Sequence, residues 1–186
     1  QNLFTGWKDV TLTEKGIREA HEAARLIENI TFTHAFTSDL KRAQHTLDII
    51  LKDIQQDLPV IEDIALNERD YGSLVGQNKA EAAEKYGAEQ VQIWRRSYAT
   101  PPPDGESLKM TARRSIPYFE DKIEPLLLEN NNIIVSAHGN SIRSIVMHLH
   151  NLNREQILQT EIGWCEPWIY IFENGERTGF KIIPRP

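Results

Sequence analysis

Several features are scarce in this 186-residue sequence. It has one cysteine, Cys165, so it cannot form an internal disulfide, and this usage fits a reducing, cytoplasmic setting. Its apolar runs fall far short of the about 20 residues that a membrane-spanning helix needs. Acidic residues outnumber basic ones by 27 to 21, and a net charge of −6 argues against nucleic acid or an anionic membrane surface as the main partner. The six histidines show no metal-ligand spacing, so we expect no structural metal site.

The rest of the composition is that of one folded domain. Hydrophobic residues make up 40% of the chain and charged residues 26%, which is typical of globular proteins. Three segments have the pattern of short strands, at 30–37, 59–61 and 133–137, and helical patterns separate them. This alternation predicts a mostly parallel sheet covered by helices on both faces, in a three-layer α/β/α sandwich. We therefore expect a single domain over residues 1–186.

Apolar stripes and capping residues predict the helices. Side-chain caps are expected from Thr13, Ser38 and Ser141, each just before an apolar stripe of helical spacing. Pro117 should kink a long helix over residues 107–128. The other predicted elements are helices at 78–87, 91–96 and 153–160, and a hairpin of strands 168–172 and 180–183 around Asn174-Gly175.

The stretch at 133–141 is the most informative for chemistry. A short buried strand ends in a polar turn at His138-Gly139-Asn140, and a helix follows at once. Such a junction points backbone N–H groups and the positive end of a helix dipole at one place, which suits an anion. A histidine there can donate to a phosphoryl oxygen or exchange a proton near neutral pH. The alternative is an ordinary junction whose histidine only caps the helix.

Cations and one carboxylate are further candidates for an anion site. Arginine binds phosphate or carboxylate through its forked guanidinium group, although any single arginine can equally be a solvated surface charge. Glu68 is the best candidate for acid–base work, because it lies in a polar segment without helical or strand periodicity. A surface ion pair with the next residue, Arg69, is the simpler alternative. The candidate cations are Arg42, Arg69, Lys79, Arg95 and Arg96.

Taken together, seven short motifs make a more specific pattern than any one of them. In chain order they are Phe4-Thr5-Gly6-Trp7, Thr37-Ser38-Asp39-Leu40-Lys41-Arg42-Ala43, Leu66-Asn67-Glu68-Arg69-Asp70-Tyr71-Gly72, Asn78-Lys79-Ala80-Glu81, Trp94-Arg95-Arg96, Gly105-Glu106-Ser107 and Ala137-His138-Gly139-Asn140-Ser141. This set resembles the 2,3-bisphosphoglycerate-dependent phosphoglycerate mutases of the histidine phosphatase superfamily. The resemblance covers nearly the whole chain.

The resemblance implies a phosphoglycerate mutase-like fold and a glycolytic and gluconeogenic isomerase. Such an enzyme interconverts 3-phosphoglycerate and 2-phosphoglycerate through a phosphohistidine, with 2,3-bisphosphoglycerate as phosphoryl primer and no metal. It implies small phosphorylated three-carbon acids as partners, a cytoplasmic location and a homodimer or homotetramer. By matched position it makes Glu68 the proton donor and acceptor, and His138 and Arg42 the groups that stabilise the transferring phosphoryl group. The substrate-binding residues would be Thr5, Gly6, Arg42, Glu68, Arg69, Asp70, Tyr71, Lys79, Arg95, Arg96, Gly139 and Asn140.

The sequence departs from the family pattern in two places. The family nucleophile is a histidine in an Arg-His-Gly motif at the end of the first strand, and the sequence begins at Gln1, inside the loop that follows that strand. We therefore expect the nucleophile upstream of Gln1 and an N-terminally incomplete domain. A protein that really began at Gln1 would be expected to have a gap in the sheet and no mutase activity. The second departure is the Trp164-Cys165-Glu166 stretch, where the family usually has a Thr-Gly pair before the proline.

Two other functions remain open at this point. One is a phosphatase of the same superfamily acting on a small phosphate ester, and the other is an inactive anion-binding protein. The Glu-Arg-Asp-Tyr segment and the cations Lys79, Arg95 and Arg96 favour the mutase, because a bisphosphate has a second anionic group to be held.

Overall fold

In a computed structural model, residues 3–185 are described. A parallel sheet of three strands lies at the centre, formed by β1 (His34–Thr37), β2 (Val60–Glu62) and β3 (Ile133–Ser136). The strand order is β2-β1-β3, and Ala35 is paired with Val60 on one side and with Ile134 on the other. The predicted α/β class and parallel sheet are confirmed.

Helices cover both faces of this sheet because its strand residues alternate between two cores. On one face, Ala35 and Ile134 pack with α1 (Glu14–Ile27) and α2 (Lys41–Asp53). On the other face, Phe36 packs with Phe119, Ile123 and Ile145. This second layer contains α5 (Leu108–Tyr118), α6 (Glu124–Leu128) and α7 (Gly139–Leu149).

The segment between β2 and α5 forms a separate small core beside the sheet. It contains short 3₁₀ turns at Ile64–Leu66 and Gly72–Leu74, followed by α3 (Lys79–Tyr86) and α4 (Ala88–Arg96). Phe4, Leu74, Ala82 and Val91 are buried together there. Gly72 has φ = +50°, and a Cβ at this position would lie 2.2 Å from the carbonyl oxygen of Pro103. Only glycine fits this close approach.

The kink expected at Pro117 takes the form of a wider helical turn. Helix α5 ends at Tyr118, a π-helical turn follows at Phe119–Ile123, and α6 continues from there. Proline lacks an N–H and its ring crowds the preceding turn, so the helix cannot continue with its regular bonding.

The Asn174-Gly175 turn also forms as predicted, with φ of +53° and +80°, between β4 (Trp168–Glu173) and β5 (Glu176–Ile182). The remaining helix is α8 (Arg154–Gln159), capped by Asn153.

Three details of the predicted boundaries are wrong. Residues 30–33 lie outside β1. Ser38 does not cap α2, which begins at Lys41 after an N-cap residue, Leu40, without a side-chain cap. Ser141 is in the first turn of α7, and His138 is the N-cap residue. The serine hydroxyls have tertiary partners instead, since Ser38 Oγ lies 2.7 Å from His138 Nε2 and Ser141 Oγ donates to the Leu66 carbonyl oxygen at 2.9 Å.

The third strand, β3, is at one edge of the sheet. Within residues 3–185, β3 pairs with β1 alone, and β4 and β5 form a two-stranded sheet of their own. Among the same residues, no helix combines the length and apolar character needed to cross a membrane.

Candidate active site

His138 and Ser38 lie together where two neighbouring strands end. Ser38 follows β1 directly, and His138 follows β3 by one residue, so parallel pairing brings them to the same edge of the sheet. His138 is 8% exposed. Burial, together with the charges of Arg42 and Arg114, lowers the pKa of His138 to about 3. The ring is therefore neutral at physiological pH and can donate one hydrogen bond.

This low pKa predicts a specific acid sensitivity. The unfolded chain takes up a proton at His138 near pH 6.5, whereas the folded protein does so near pH 3. The free energy of unfolding should therefore fall as pH drops from 6.5 towards 3, by at most about 1.4 kcal/mol per pH unit from this group. Urea unfolding at several pH values should show a shallower acid-side loss in a His138→Gln variant. An identical pH dependence in both proteins would contradict the assignment.

Glu68 is held at one oxygen and open at the other. Its Oε1 accepts hydrogen bonds from the Arg69 N–H at 2.7 Å, from Asn140 Nδ2 at 2.9 Å and from the Asn140 N–H at 3.2 Å. In the part of the chain described, Oε2 has no hydrogen-bond donor. The first turn of α7 thus fixes the carboxylate and leaves Oε2 free to exchange a proton.

Arg42 connects the N-terminal loop to this centre. Its Nη2 donates to the Gly6 carbonyl oxygen at 2.8 Å, and its Nη1 to that of Lys8 at 3.1 Å. Burial lowers the pKa of Arg42, and the charges of Glu68 and Asp9 oppose that effect. Arg42 is a positive charge beside both Glu68 and His138.

Arg69, the residue after Glu68, belongs to a second group of cations. It is 2% exposed, and its Nη2 donates to the Tyr71 hydroxyl at 3.0 Å and to the Arg95 carbonyl oxygen at 3.4 Å. Its buried Nε has no hydrogen-bond partner within residues 3–185. Lys79 lies 5.8 Å from the centre of the Phe4 ring, and its pKa is lowered by burial and by the charge of Arg95. Unbalanced cations of this kind are typical of an anion-binding site.

A cavity of about 200 Å³ opens beside Asn140. Arg96, Gly139, Asn140 and Arg143 line it together with residues 160–162. Burial lowers the pKa of Arg143, and the charges of Arg69 and Arg96 lower it further. Exposed Arg96 is 3.8 Å from Glu161 in the segment that follows α8. This segment continues into the Trp164-Cys165-Glu166 departure.

Two of the proposed substrate-binding residues, Asp70 and Thr5, make hydrogen bonds within their own loops. Asp70 Oδ1 accepts from the Gly72 N–H at 2.9 Å, so it shapes the turn after Arg69. The Thr5 carbonyl oxygen accepts from the Lys8 N–H at 2.8 Å. Next to it, Gly6 has φ = +49°, and a Cβ there would approach the Tyr71 nitrogen to 3.1 Å.

Sequence reasoning missed Arg143 and Arg114. Arg143 follows Asn140 by three residues on α7, and this helical spacing would have placed the two side chains together. Arg114 lies on the predicted helix at 107–128, and its contacts are with distant backbone carbonyls that no sequence pattern marks.

Comparisons with known proteins agree with this arrangement. The family model described as "Histidine phosphatase superfamily (branch 1)" matches residues 1–179. The chain belongs to the histidine phosphatase superfamily. Curated relatives include proteins named 2,3-bisphosphoglycerate-dependent phosphoglycerate mutase from Parvibaculum lavamentivorans, 53% identical over 94% of this chain and 84% of that protein, and from Cytophaga hutchinsonii, 50% identical over 94% and 82%. A protein from Gloeobacter violaceus named 2,3-bisphosphoglycerate-dependent phosphoglycerate mutase 2 is 56% identical over all of this chain and 85% of its own length.

Within the superfamily, the chain therefore groups with the phosphoglycerate mutase relatives.

Solved structures share its fold at lower identity. Bacillus stearothermophilus YhfR has a TM-score of 0.82 at 19% identity, over 95% of this chain and 86% of that one. An alpha-ribazole phosphatase from Shigella flexneri has a TM-score of 0.81 at 21% identity, over 98% and 88%. These structures support the fold of the histidine phosphatase superfamily and no particular substrate.

Proposed function

We propose that the protein interconverts 3-phosphoglycerate and 2-phosphoglycerate and depends on 2,3-bisphosphoglycerate. The observation that carries this proposal is that Glu68 lies near two sets of cations. Its charge acts on Arg42, which is also near His138, and on Arg143, which is also near Arg69 and Arg96. 3-Phosphoglycerate has its carboxylate at C1 and its phosphate on C3, so it can bind both sets of cations and present its C2 hydroxyl group between them.

The residues fit a doubly phosphorylated ligand on structural grounds. Arg69 has a buried Nε without a partner, and the pKa values of Lys79 and Arg143 are lowered in part by neighbouring positive charge. Bound anions would relieve both conditions. The residues that would hold 2,3-bisphosphoglycerate are Thr5, Gly6, Arg42, Arg69, Tyr71, Lys79, Arg95, Arg96, Gly139 and Asn140. When bound, it supplies the phosphoryl group that primes the enzyme.

The residues divide the chemistry between proton transfer and charge stabilisation. Oε2 of Glu68 takes the proton of the substrate hydroxyl as that oxygen forms a bond to the phosphorus of the phosphohistidine and the N–P bond to the histidine breaks. In the reverse direction it returns the proton to the hydroxyl oxygen as the N–P bond forms again. Arg42, neutral His138 and the N–H group of Gly139 stabilise the negative charge on the phosphoryl oxygens. The nucleophilic histidine that they assist is the one that the family resemblance places before Gln1. The protein would act in glycolysis and gluconeogenesis, in the cytoplasm, as a homodimer or homotetramer.

A phosphatase acting on a small phosphate ester is the second candidate. Arg42, His138 and the start of α7 would serve hydrolysis equally well, and histidine phosphatases share this fold. The second group of cations, Arg69, Lys79 and Arg95, favours the mutase, because hydrolysis of a monoester does not need a second anion subsite.

The test is a coupled assay of the full-length protein that follows formation of 2-phosphoglycerate from 3-phosphoglycerate. Turnover should depend on added 2,3-bisphosphoglycerate, with inorganic phosphate released far more slowly. Phosphate release as the main reaction would favour the phosphatase, and neither reaction would indicate an inactive anion-binding protein.

A further inference from the structure

Arg114 on α5 connects that helix to the segment that carries Glu68. Its guanidinium group donates to the carbonyl oxygens of Ile64 at 3.2 Å, Ala65 and Asn67 at 2.9 Å, and Glu68 at 2.9 Å. Its Nε and Nη2 donate to the Glu106 carboxylate at 2.9 and 2.8 Å. All of the guanidinium nitrogens are thus used, in a fork that lysine cannot reproduce.

Glu106 completes the connection from the other end of the segment. Its Oε2 accepts from the Asp70 N–H at 3.0 Å and from the Thr111 hydroxyl at 3.2 Å. Burial would raise the pKa of Glu106, but the hydrogen bonds from Arg114 and Asp70 and the charge of Arg114 lower it below its usual value. Glu106 is therefore a firmly ionised partner that holds both Arg114 and the backbone just after Glu68.

Glu68 is consequently held at its backbone carbonyl group and at its side-chain carboxylate. Its carbonyl oxygen accepts from Arg114 Nη2 and from Trp7 Nε1, and the guanidinium carbon of Arg114 lies 5.5 Å from the centre of the Trp7 ring. Its carboxylate Oε1 is bound by Asn140 on α7. Removal of the carbonyl contacts would leave the Glu68 side chain bound to α7 and to the Arg69 N–H, while its backbone could shift.

We propose that Arg114, held by Glu106, is the positioning residue for Glu68. Arg114 does not reach the substrate in this account, and it acts by keeping Oε2 of Glu68 where a hydroxyl proton can be transferred. This inference rests on the role given to Glu68 in the proposed function. A displacement of about 1 Å at a reacting group can cost on the order of 10²-fold in rate, so a small movement of this segment is sufficient.

The test compares Arg114→Lys with Arg113→Lys in the full-length protein. Arg113 is the neighbouring residue on α5, is exposed, and makes no hydrogen bond or ion pair within the described part of the chain, so it is a matched control. We expect Arg114→Lys to lower kcat by about 10- to 100-fold and Arg113→Lys to leave it unchanged. In a Glu68→Gln background, Arg114→Lys should lower the remaining rate by less than about 3-fold, because the group that it positions is already disabled.

Amide hydrogen exchange gives a readout that does not depend on activity. The Asp70 N–H and the amides of residues 65–69 should exchange faster in Arg114→Lys than in the wild-type protein. In Arg113→Lys they should exchange at the wild-type rate. If Arg114→Lys does not fold, Glu106→Gln takes its place, with the same readouts and a smaller expected effect.

Three results would overturn the inference: equal kcat values for the two lysine variants, equal losses in the wild-type and Glu68→Gln backgrounds, or unchanged exchange at residues 65–70. An inactive wild-type protein would contradict the proposed function instead, and the exchange result would still decide whether Arg114 fixes this segment.

Discussion

Replacement of Glu68 by glutamine should lower the kcat of phosphoglycerate interconversion by about 10²–10⁴-fold, the usual contribution of a general acid–base group. Glutamine keeps the size of the side chain and an oxygen that can accept from Asn140, so the site should stay assembled. It cannot take up the hydroxyl proton. The KM for 3-phosphoglycerate should change little, because the arginines that bind the anionic groups are untouched.

Glu62→Gln is the matched control for this substitution. Glu62 is exposed at the end of β2 and accepts a hydrogen bond from Gln44 at 3.0 Å. Glu62→Gln removes one negative charge, as Glu68→Gln does, but leaves the cations around Glu68 untouched. The wild-type rate should therefore be kept. A Glu68→Gln enzyme with the wild-type kcat would remove Glu68 from its proposed role.

Replacement of His138 by alanine should slow phosphorylation of the protein by 2,3-bisphosphoglycerate by about 10²–10³-fold, the range found for loss of one donor to a developing charge. In the proposed role, the buried neutral ring of His138 beside Arg42 stabilises the charge on the phosphoryl oxygens, and alanine removes that ring. The measurement is the rate at which acid-labile phosphate appears on the full-length protein, with circular dichroism to confirm the fold.

His45→Ala serves as the control, since His45 is exposed on α2 and makes no hydrogen bond or ion pair within the described residues. It should phosphorylate at the wild-type rate. If phosphate were incorporated at the wild-type rate in His138→Ala as well, the function of His138 would be limited to its structural place at the start of α7.

Local patterns in the sequence predicted the parts of the fold that depend on local physics. Thr13 accepts from the Gly16 N–H at the start of α1, as predicted for a side-chain cap. The hairpin turn at Asn174-Gly175 forms because asparagine and glycine both tolerate the positive φ that the turn requires. Arg42 and His138 come near each other because each follows the carboxyl end of a strand in the parallel sheet.

The errors occurred where tertiary contacts compete with local preference. Ser38 and Ser141 have the sequence context of N-caps, but Ser38 binds the ring of His138 and Ser141 binds the carbonyl oxygen of Leu66, 75 positions away. Arg114 was missed for the same reason, because its partners are carbonyl groups about 46 to 50 residues earlier in the chain. Backbone acceptors carry no sequence signature, so such a contact is visible only in three dimensions.

The most direct test of the central claim is the fate of a labelled phosphoryl group on the full-length protein. The protein is first phosphorylated with radiolabelled 2,3-bisphosphoglycerate and then mixed rapidly with excess unlabelled 3-phosphoglycerate. If the protein is a mutase, the label should leave it in bisphosphoglycerate and 2-phosphoglycerate, much faster than it is lost in buffer alone. Release of the label mainly as inorganic phosphate, at a rate that 3-phosphoglycerate does not change, would contradict the mutase function.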